Sequence, residues 1–306
     1  MQTKGNNGPR YRHQVQETGD YTTIGVTKLT PIIGAEISGI DLSKPLAPEQ
    51  RNEVHRALAE NQVIFFRDQD VTKEQHLAFG RLFGDLHIHP AAPHVEGLPA
   101  LMKIHADESS PRANGERWHT DVSCDETPPM GSILHIHTLP PHGGDTLFAS
   151  MYAAYDALSD RMKNYLNGMT ALHDGEANYR GTYKNFGVVD KPSYPYAEHP
   201  VVRTHPVTGR QALYVNRGFT IHLNGVPKDE SAGVLRYLYE HIENPLFQCR
   251  FQWKKNSIAF WDNRCVQHRA MWDYWPHTRS GHRVTVAGDR PFYRPSVLTP
   301  NHSTSD

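Results

Sequence analysis

Apolar and polar positions along the chain follow two periods. From Pro48 to Asn61, Val54, Ala57 and Leu58 recur at helical spacing behind a proline in the first turn, which predicts an α-helix. Thr72-Lys73-Glu74-Gln75 fits a capping box and opens a second helix through about Phe83, stopped by Gly84. Ser150 is placed to cap one continuous helix whose buried side carries Met151, Tyr155, Leu158, Met162 and Leu166, with Gly168 ending it. Lys228 to Ile242 reads as another helix. Elsewhere the period is two. Phe247, Cys249, Phe251 and Trp253 alternate with Gln248, Arg250, Gln252 and Lys254, the pattern of a half-buried strand. Val63 to Phe66, Ile133 to His137, Leu147-Phe148, Ile258 to Trp261 and Arg283 to Ala287 are further strands. Thr23 to Leu42 holds short strands and turns, and Val201 to Val215 a hairpin about Thr208-Gly209. Many strands with a few peripheral helices predict a mainly β fold, a double-sheet jelly roll enclosing a cavity.

Asp174 to Glu198 has no clear period and is rich in Gly, Asn, Pro and aromatic residues (Tyr179, Tyr183, Phe186, Tyr194, Tyr196). A segment this long and this aromatic is expected to be a functional lid. The expected organisation is a flexible tail over residues 1–22, one catalytic domain over 23–296 and a short tail over 297–306.

Composition narrows the class. The chain has 306 residues, 38% hydrophobic and 21% charged, enough for a substantial core. A net charge of -1 gives no electrostatic reason to bind nucleic acid or an anionic membrane. No apolar run is long enough to span a bilayer, and the polar start lacks an apolar signal region. Three cysteines, Cys124, Cys249 and Cys265, are too few for a disulfide framework and point to a reducing cytoplasm. Cys124 and Cys265 lie near the candidate site in sequence and are expected to be inert packing.

The candidate chemistry centres on Trp118-His119-Thr120-Asp121. In an extended strand His119 and Asp121 project to one face. His268, far downstream, supplies a second imidazole. Two histidines and one carboxylate are the ligand set of non-heme Fe(II) oxygenases, which leaves positions open for O2 and a co-substrate. A hydrogen-bonded surface pair is the plain alternative for His119 and Asp121. His87 and His89 share a face if extended, and so do His135 and His137, the latter without an evident third ligand. Along the last strand, Arg279, Gly281, Arg283, Thr285 and Ala287 share one face, with Val284 and Val286 on the other. Two arginines beside small residues make a pocket for a carboxylate or sulfonate, unless that face is a solvated basic edge.

Taken together, Trp118-His119-Thr120-Asp121-Val122, Pro128-Pro129, Gly143-Gly144-Asp145-Thr146, Trp261-Asp262-Asn263-Arg264, Gln267-His268 and Gly288-Asp289-Arg290-Pro291-Phe292-Tyr293-Arg294 resemble the taurine dioxygenase family. This Fe(II)/2-oxoglutarate-dependent group also includes alkylsulfatase and dichlorophenoxyacetate dioxygenases, and the likeness runs from about Leu29 to Arg294. The resemblance implies a double-stranded β-helix fold, an iron triad of His119, Asp121 and His268, and Thr146 and Arg279 on the distal carboxylate of 2-oxoglutarate. It implies that Arg283 grips the anionic group of the primary substrate and that His89, Val122 and Phe219 line its pocket. Ala92, Asn178, Tyr179 and either Asn114 or Gly115 depart from the taurine enzyme's residues, so the primary substrate is expected to be another small organic anion.

The expected reaction uses O2 to decarboxylate 2-oxoglutarate to succinate and hydroxylates a sulfonate or sulfate ester, releasing its leaving group. An aryloxyalkanoate or other carboxylate is the alternative substrate. A zinc hydrolase and a non-catalytic ligand sensor are the alternatives of other classes. Relatives imply a dimer or tetramer.

Overall fold

The structure, a computed structural model, describes residues 19–89, 92–180 and 194–295. The chain opens with β1 (Gly25–Lys28), β2 (Ala35–Ser38), α1 (Pro48–Asn61), β3 (Val63–Phe66) and α2 (Lys73–Arg81). It continues through β4 (His94–Val95), β5 (Leu98–Ala106), β6 (Gly131–Thr138), β7 (Thr146–Ser150), α3 (Met151–Asp156), α4 (Asp160–Leu166), β8 (Thr170–Asp174) and α5 (Glu176–Tyr179). The second half carries β9 (Tyr196–Pro200), β10 (Val202–Thr204), β11 (Gln211–Leu213), β12 (Thr220–Leu223) and α6 (Lys228–Ile242). It ends with β13 (Gln248–Phe251), β14 (Ser257–Asp262), β15 (Val266–Ala270) and β16 (Arg279–Val286).

Among the described residues, eight strands form the major sheet in the order β1-β2-β3-β14-β6-β16-β5-β4. Smaller sheets, β13-β7-β15 and β12-β8-β9, complete the jelly roll. The run Val63-Ile64-Phe65-Phe66 is apolar throughout because β3 is buried on both faces. Val63 and Phe65 pack inward with Phe148 and Trp261, while Ile64 and Phe66 pack outward with Val54 and Leu58 of α1 and Leu77 and Phe79 of α2. β14 divides the same way, Ala259 and Trp261 inward, Ile258 and Phe260 outward.

Local signals place both early helices. Pro48 opens α1, and the Thr72 hydroxyl accepts from the Gln75 N–H while Gln75 Oε1 accepts from the Thr72 N–H, the reciprocal box expected. The single helix expected after Ser150 is two. Ser150 caps α3 through the Ala153 N–H, and Ser159, in extended conformation, caps α4 through the Met162 N–H. A second hydroxyl satisfies fresh N–H groups, so the chain restarts in a new direction. Leu158 and Leu166 stay buried, but Tyr155 and Met162 are only partly covered.

Most of the expected N-terminal tail lies outside the described residues. Tyr21 and Thr22 are tied to α1 by hydrogen bonds to Glu60 and Glu53. The core of the expected lid, residues 181–193 with Tyr183 and Phe186, also lies outside them. Its flanks are regular, since β8 runs through Asp174, α5 follows, and β9 begins at Tyr196.

Candidate active site

His119 and Asp121 do not reach a common side by strand alternation. His119 makes one antiparallel bridge to His268: its N–H donates to the His268 carbonyl at 3.2 Å, and the His268 N–H donates back at 2.8 Å. The chain then turns at Asp121, with Val122 in the left-handed region (φ 50°). A bridge and a turn therefore do what an extended strand was expected to do. The His119 and His268 Nε2 atoms lie 3.7 and 3.9 Å from Asp121 Oδ1, and the three donor atoms fall within 4.8 Å of one another. The largely buried donor set of two imidazoles and one carboxylate, with His119 partly open to the cavity, fits a divalent iron.

The ligands are held from behind. His119 Nδ1 lies 2.7 Å from the Arg117 carbonyl, which can only accept, so that nitrogen carries the proton and Nε2 keeps its lone pair. Ser132 Oγ on β6 donates to Asp121 Oδ2 at 2.6 Å. Asn263 Nδ2 donates to Ser132 Oγ at 3.1 Å, and Asn263 Oδ1 accepts from Trp261 Nε1 at 2.9 Å. The Thr120 hydroxyl donates to the Asn263 carbonyl at 2.7 Å. Gly218 lets the backbone approach His119 closely, since a Cβ there would sit 2.9 Å from His119 Cβ.

Charge favours the ionised carboxylate. Burial pushes the Asp121 carboxyl up, but Arg283, His268 and His119 outweigh it and hold it well below the usual range. Arg283 Nη1 donates to Asp121 Oδ1 at 2.7 Å, and its buried Nε has no partner among the described residues. Burial, with His119 and Arg283 adding to it, depresses His268 well below the usual histidine value.

Arg279 begins β16, the strand that also carries Arg283. Neighbours β6 and β5 flank β16 on both sides, and both arginines are buried, so the basic face is no solvated edge. Arg279 Nε donates to the Gly144 carbonyl at 3.0 Å and Nη2 to Thr146 Oγ1 at 3.4 Å. Gly143 and Gly144 carry the turn over it in the left-handed region, and a Cβ at Gly144 would meet Arg279 Cδ at 3.1 Å. Among the described residues no carboxylate is in ion-pair contact with Arg279. Burial lowers its pKa, with Tyr274 and Asp145 opposing. A buried guanidinium with only neutral contacts suits an incoming carboxylate.

All nine residues expected at the site (His89, His119, Asp121, Val122, Thr146, Phe219, His268, Arg279 and Arg283) line one cavity between the sheets. The triad and Arg283 stand beside a wall of Val122, Tyr179 and Phe219, with His89 ring-to-ring against Tyr179 at 5.6 Å. Burial and Arg283 depress His89 to about 3, so it is neutral at physiological pH. Ala92, Asn114, Gly115, Asn178 and Tyr179, the departures seen in sequence, line the same cavity.

Other candidates separate from it. His87 pairs with Asp125 at 3.3 Å. His135 and His137 make edge-on and tilted ring contacts with each other, His76 and His282, with centroids 5.1 to 6.5 Å apart, and join no three-ligand group among the described residues. A second compact group, His205, Asp262 and Cys265, has its donors committed. Arg264 binds both Asp262 oxygens, and His205 gives Nε2 to Asp262 and accepts at Nδ1 from the Val207 and Thr208 N–H groups. All three cysteines are free and buried, and burial pushes the Cys124 and Cys249 thiols up to about 12, as inert packing requires. Sequence reasoning missed Ser132 and the neighbours Trp253, Met102 and Ile104. Their only signal was strand alternation, which marks burial and not chemistry.

Comparison with known proteins agrees with this geometry. The profile of the family described as taurine catabolism dioxygenase TauD, TfdA family, matches residues 25–285. The chain is 33% identical over 299 residues to an alpha-ketoglutarate-dependent sulfonate dioxygenase of Saccharomyces cerevisiae, covering 90% of this chain and 72% of that protein. It is 35% identical over 277 residues to an alkylsulfatase of Acinetobacter baylyi, covering 86% and 84%. The crystal structure of a taurine dioxygenase from Burkholderia xenovorans superposes with a TM-score of 0.76 at 36% identity, covering 88% of this chain and 93% of that one. With the donor set, the two buried arginines and the jelly roll already in place, the chain belongs to the TauD/TfdA family of 2-oxoglutarate-dependent dioxygenases.

Proposed function

We propose that this dioxygenase hydroxylates a small organic sulfonate or sulfate ester at the carbon bearing the anionic group. His119, Asp121 and His268 hold Fe(II) in this reading, Thr146 and Arg279 hold the distal carboxylate of 2-oxoglutarate, and Arg283 takes the anion of the primary substrate. The observation that carries it is Arg283, a buried guanidinium bonded to the metal-site carboxylate with donor capacity left at Nε. With a divalent cation held by His119, Asp121 and His268, the Asp121 charge would be met there and Arg283 would be free for a second anion in the same cavity.

Bound iron, 2-oxoglutarate and O2 supply the oxidising chemistry, with succinate and CO2 as co-products. The protein does the rest by placement. Arg279 fixes one end of the co-substrate, and Arg283 fixes the head of the primary substrate beside the triad. Val122, Tyr179 and Phe219 keep water from the reacting carbon. His89, being neutral, adds no charge against Arg283. A hydroxyl on carbon bearing sulfonate or sulfate collapses to a carbonyl and expels sulfite or sulfate.

The test is succinate formation from 2-oxoglutarate, with Fe(II) and ascorbate under air, across alkylsulfonates, alkyl sulfates and aryloxyalkanoates. Stimulation by sulfonates or sulfates with release of sulfite or sulfate is expected, and Arg283→Ala should raise the KM for that substrate. Stimulation by carboxylates alone overturns the substrate assignment, and iron-loaded, folded protein that makes no succinate overturns the whole. A cytoplasmic homodimer or homotetramer belongs to the same proposal, with light scattering on the purified chain as the test of assembly. No described helix is long and apolar enough to cross a membrane.

A further inference from the structure

Thr146 begins β7 and is almost fully buried in the cavity wall. Its hydroxyl oxygen sits 3.0 Å from Trp253 Nε1 and 3.4 Å from Arg279 Nη2. Both neighbours are donors that cannot accept. Two N–H groups therefore occupy the oxygen's lone pairs, and the hydroxyl's own proton has no acceptor among the described residues. It is left facing the cavity that Thr146 and Arg279 line.

We propose that Trp253 is a positioning residue for the co-substrate: its indole N–H sets the Thr146 hydroxyl as a donor to the distal carboxylate of 2-oxoglutarate. The inference rests on the assignment of Thr146 and Arg279 to that carboxylate. Without the indole N–H the hydroxyl is free to rotate and present a lone pair, which repels a carboxylate. The ring has a second contact with the same site, since the Arg279 guanidinium lies over it at 5.4 Å from the centroid. Trp253 in turn packs edge-on against Phe251 of β13 at 5.0 Å, and β13 pairs with β7 along Phe251↔Thr146. The pairing of β13 with β7 thus brings Trp253, just past the end of β13, to the Thr146 hydroxyl that it orients.

The experiment compares two ligands on Mn(II)-loaded protein by calorimetry, with no turnover required. One is 2-oxoglutarate. The other is 2-oxopentanoate, which keeps the 2-oxo acid end and the chain length but lacks the distal carboxylate. Trp253→Phe keeps the packing and removes the donor. It should weaken 2-oxoglutarate about tenfold, the scale of one directed hydrogen bond to a charged group, and leave 2-oxopentanoate within about twofold. In a Thr146→Val background the same change should add nothing. Equal weakening of both ligands, an unchanged 2-oxoglutarate affinity or an additive loss in the valine background each overturns the proposal. Should the phenylalanine variant not fold, the benzothiophene analogue of tryptophan installed at position 253 replaces N–H by sulfur at similar size and carries the same expectation. If wild-type protein binds the two ligands equally, the anion-site assignment beneath the proposal has failed, separately from the role of Trp253.

Discussion

Ser132→Ala tests how the metal-site carboxylate is aimed. Ser132 is fully buried near the start of β6, its hydroxyl 2.6 Å from Asp121 Oδ2 and 3.1 Å from Asn263 Nδ2. Alanine has almost the same volume, so no cavity or clash follows. Asp121 Oδ1 keeps its contact with Arg283 at 2.7 Å, so the carboxylate stays ionised and the fold survives. What disappears is the acceptor for Asn263 Nδ2 and the bond that turns Asp121 Oδ2 away from the imidazoles and leaves Oδ1 facing them. A hydrogen bond to a charged group contributes about 1.5–3 kcal/mol, and losing such outer support of a metal ligand typically costs about 10–100-fold in affinity. The assay is an anaerobic Fe(II) or Mn(II) titration against a competing chelator, with circular dichroism to confirm the fold. Metal affinity of the folded variant is expected to fall at least about tenfold. Affinity within about twofold of wild type would refute the reasoning, because the carboxylate would then be aimed without the serine.

Arg279→Ala leaves the co-substrate carboxylate without its cation, a loss of about 3–5 kcal/mol for a buried pair; the 2-oxoglutarate KM should rise more than about a hundredfold, and an unchanged KM removes the assignment. Gly218→Ala places a Cβ 2.9 Å from His119 Cβ and 3.1 Å from Asn216 Oδ1, so the ligand must move; weaker metal binding in a folded protein is expected, and wild-type affinity would show that the backbone yields instead. His76, buried with Nε2 3.1 Å from the Ile133 carbonyl, is depressed to about 3 by burial and then by His135. Its folded pKa lies below its unfolded value, so its contribution to stability is complete above about pH 6.5 and is lost as pH falls toward 3, by about 2 kcal/mol at pH 5. His76→Gln should flatten the acid side of a denaturant-midpoint profile by that amount, and a profile as steep as wild type contradicts this.

Much of the fold was legible before any coordinates. Pro48 and the Thr72–Gln75 box mark helix starts through groups within a few residues of one another, and those contacts form whatever packs around them. Alternation from Arg279 correctly put both arginines on one face and Val284 and Val286 on the other. The dioxygenase class was legible through residue types at the candidate iron site and through motifs spread over most of the chain. The helix after Ser150 was misjudged because its apolar spacing continues across Ala157 to Ser159, while a second capping hydroxyl breaks the backbone there.

The sequence by itself determined the helix starts, the two-faced strands, the family and nine side chains that line one cavity. Each rests on periodicity, local hydrogen bonding or residue chemistry, which act over a few positions. Only the tertiary structure decided that His119 is bridged to His268, that Ser132 and Asn263 hold Asp121, that Trp253 meets Thr146, and that Arg279 is buried with no carboxylate in contact among the described residues. These depend on which strands become neighbours and on which charges lose water together. Hydrogen-bond direction and the cost of burying charge are properties of that three-dimensional surrounding, so residues distant in sequence acquire them only when the sheets close.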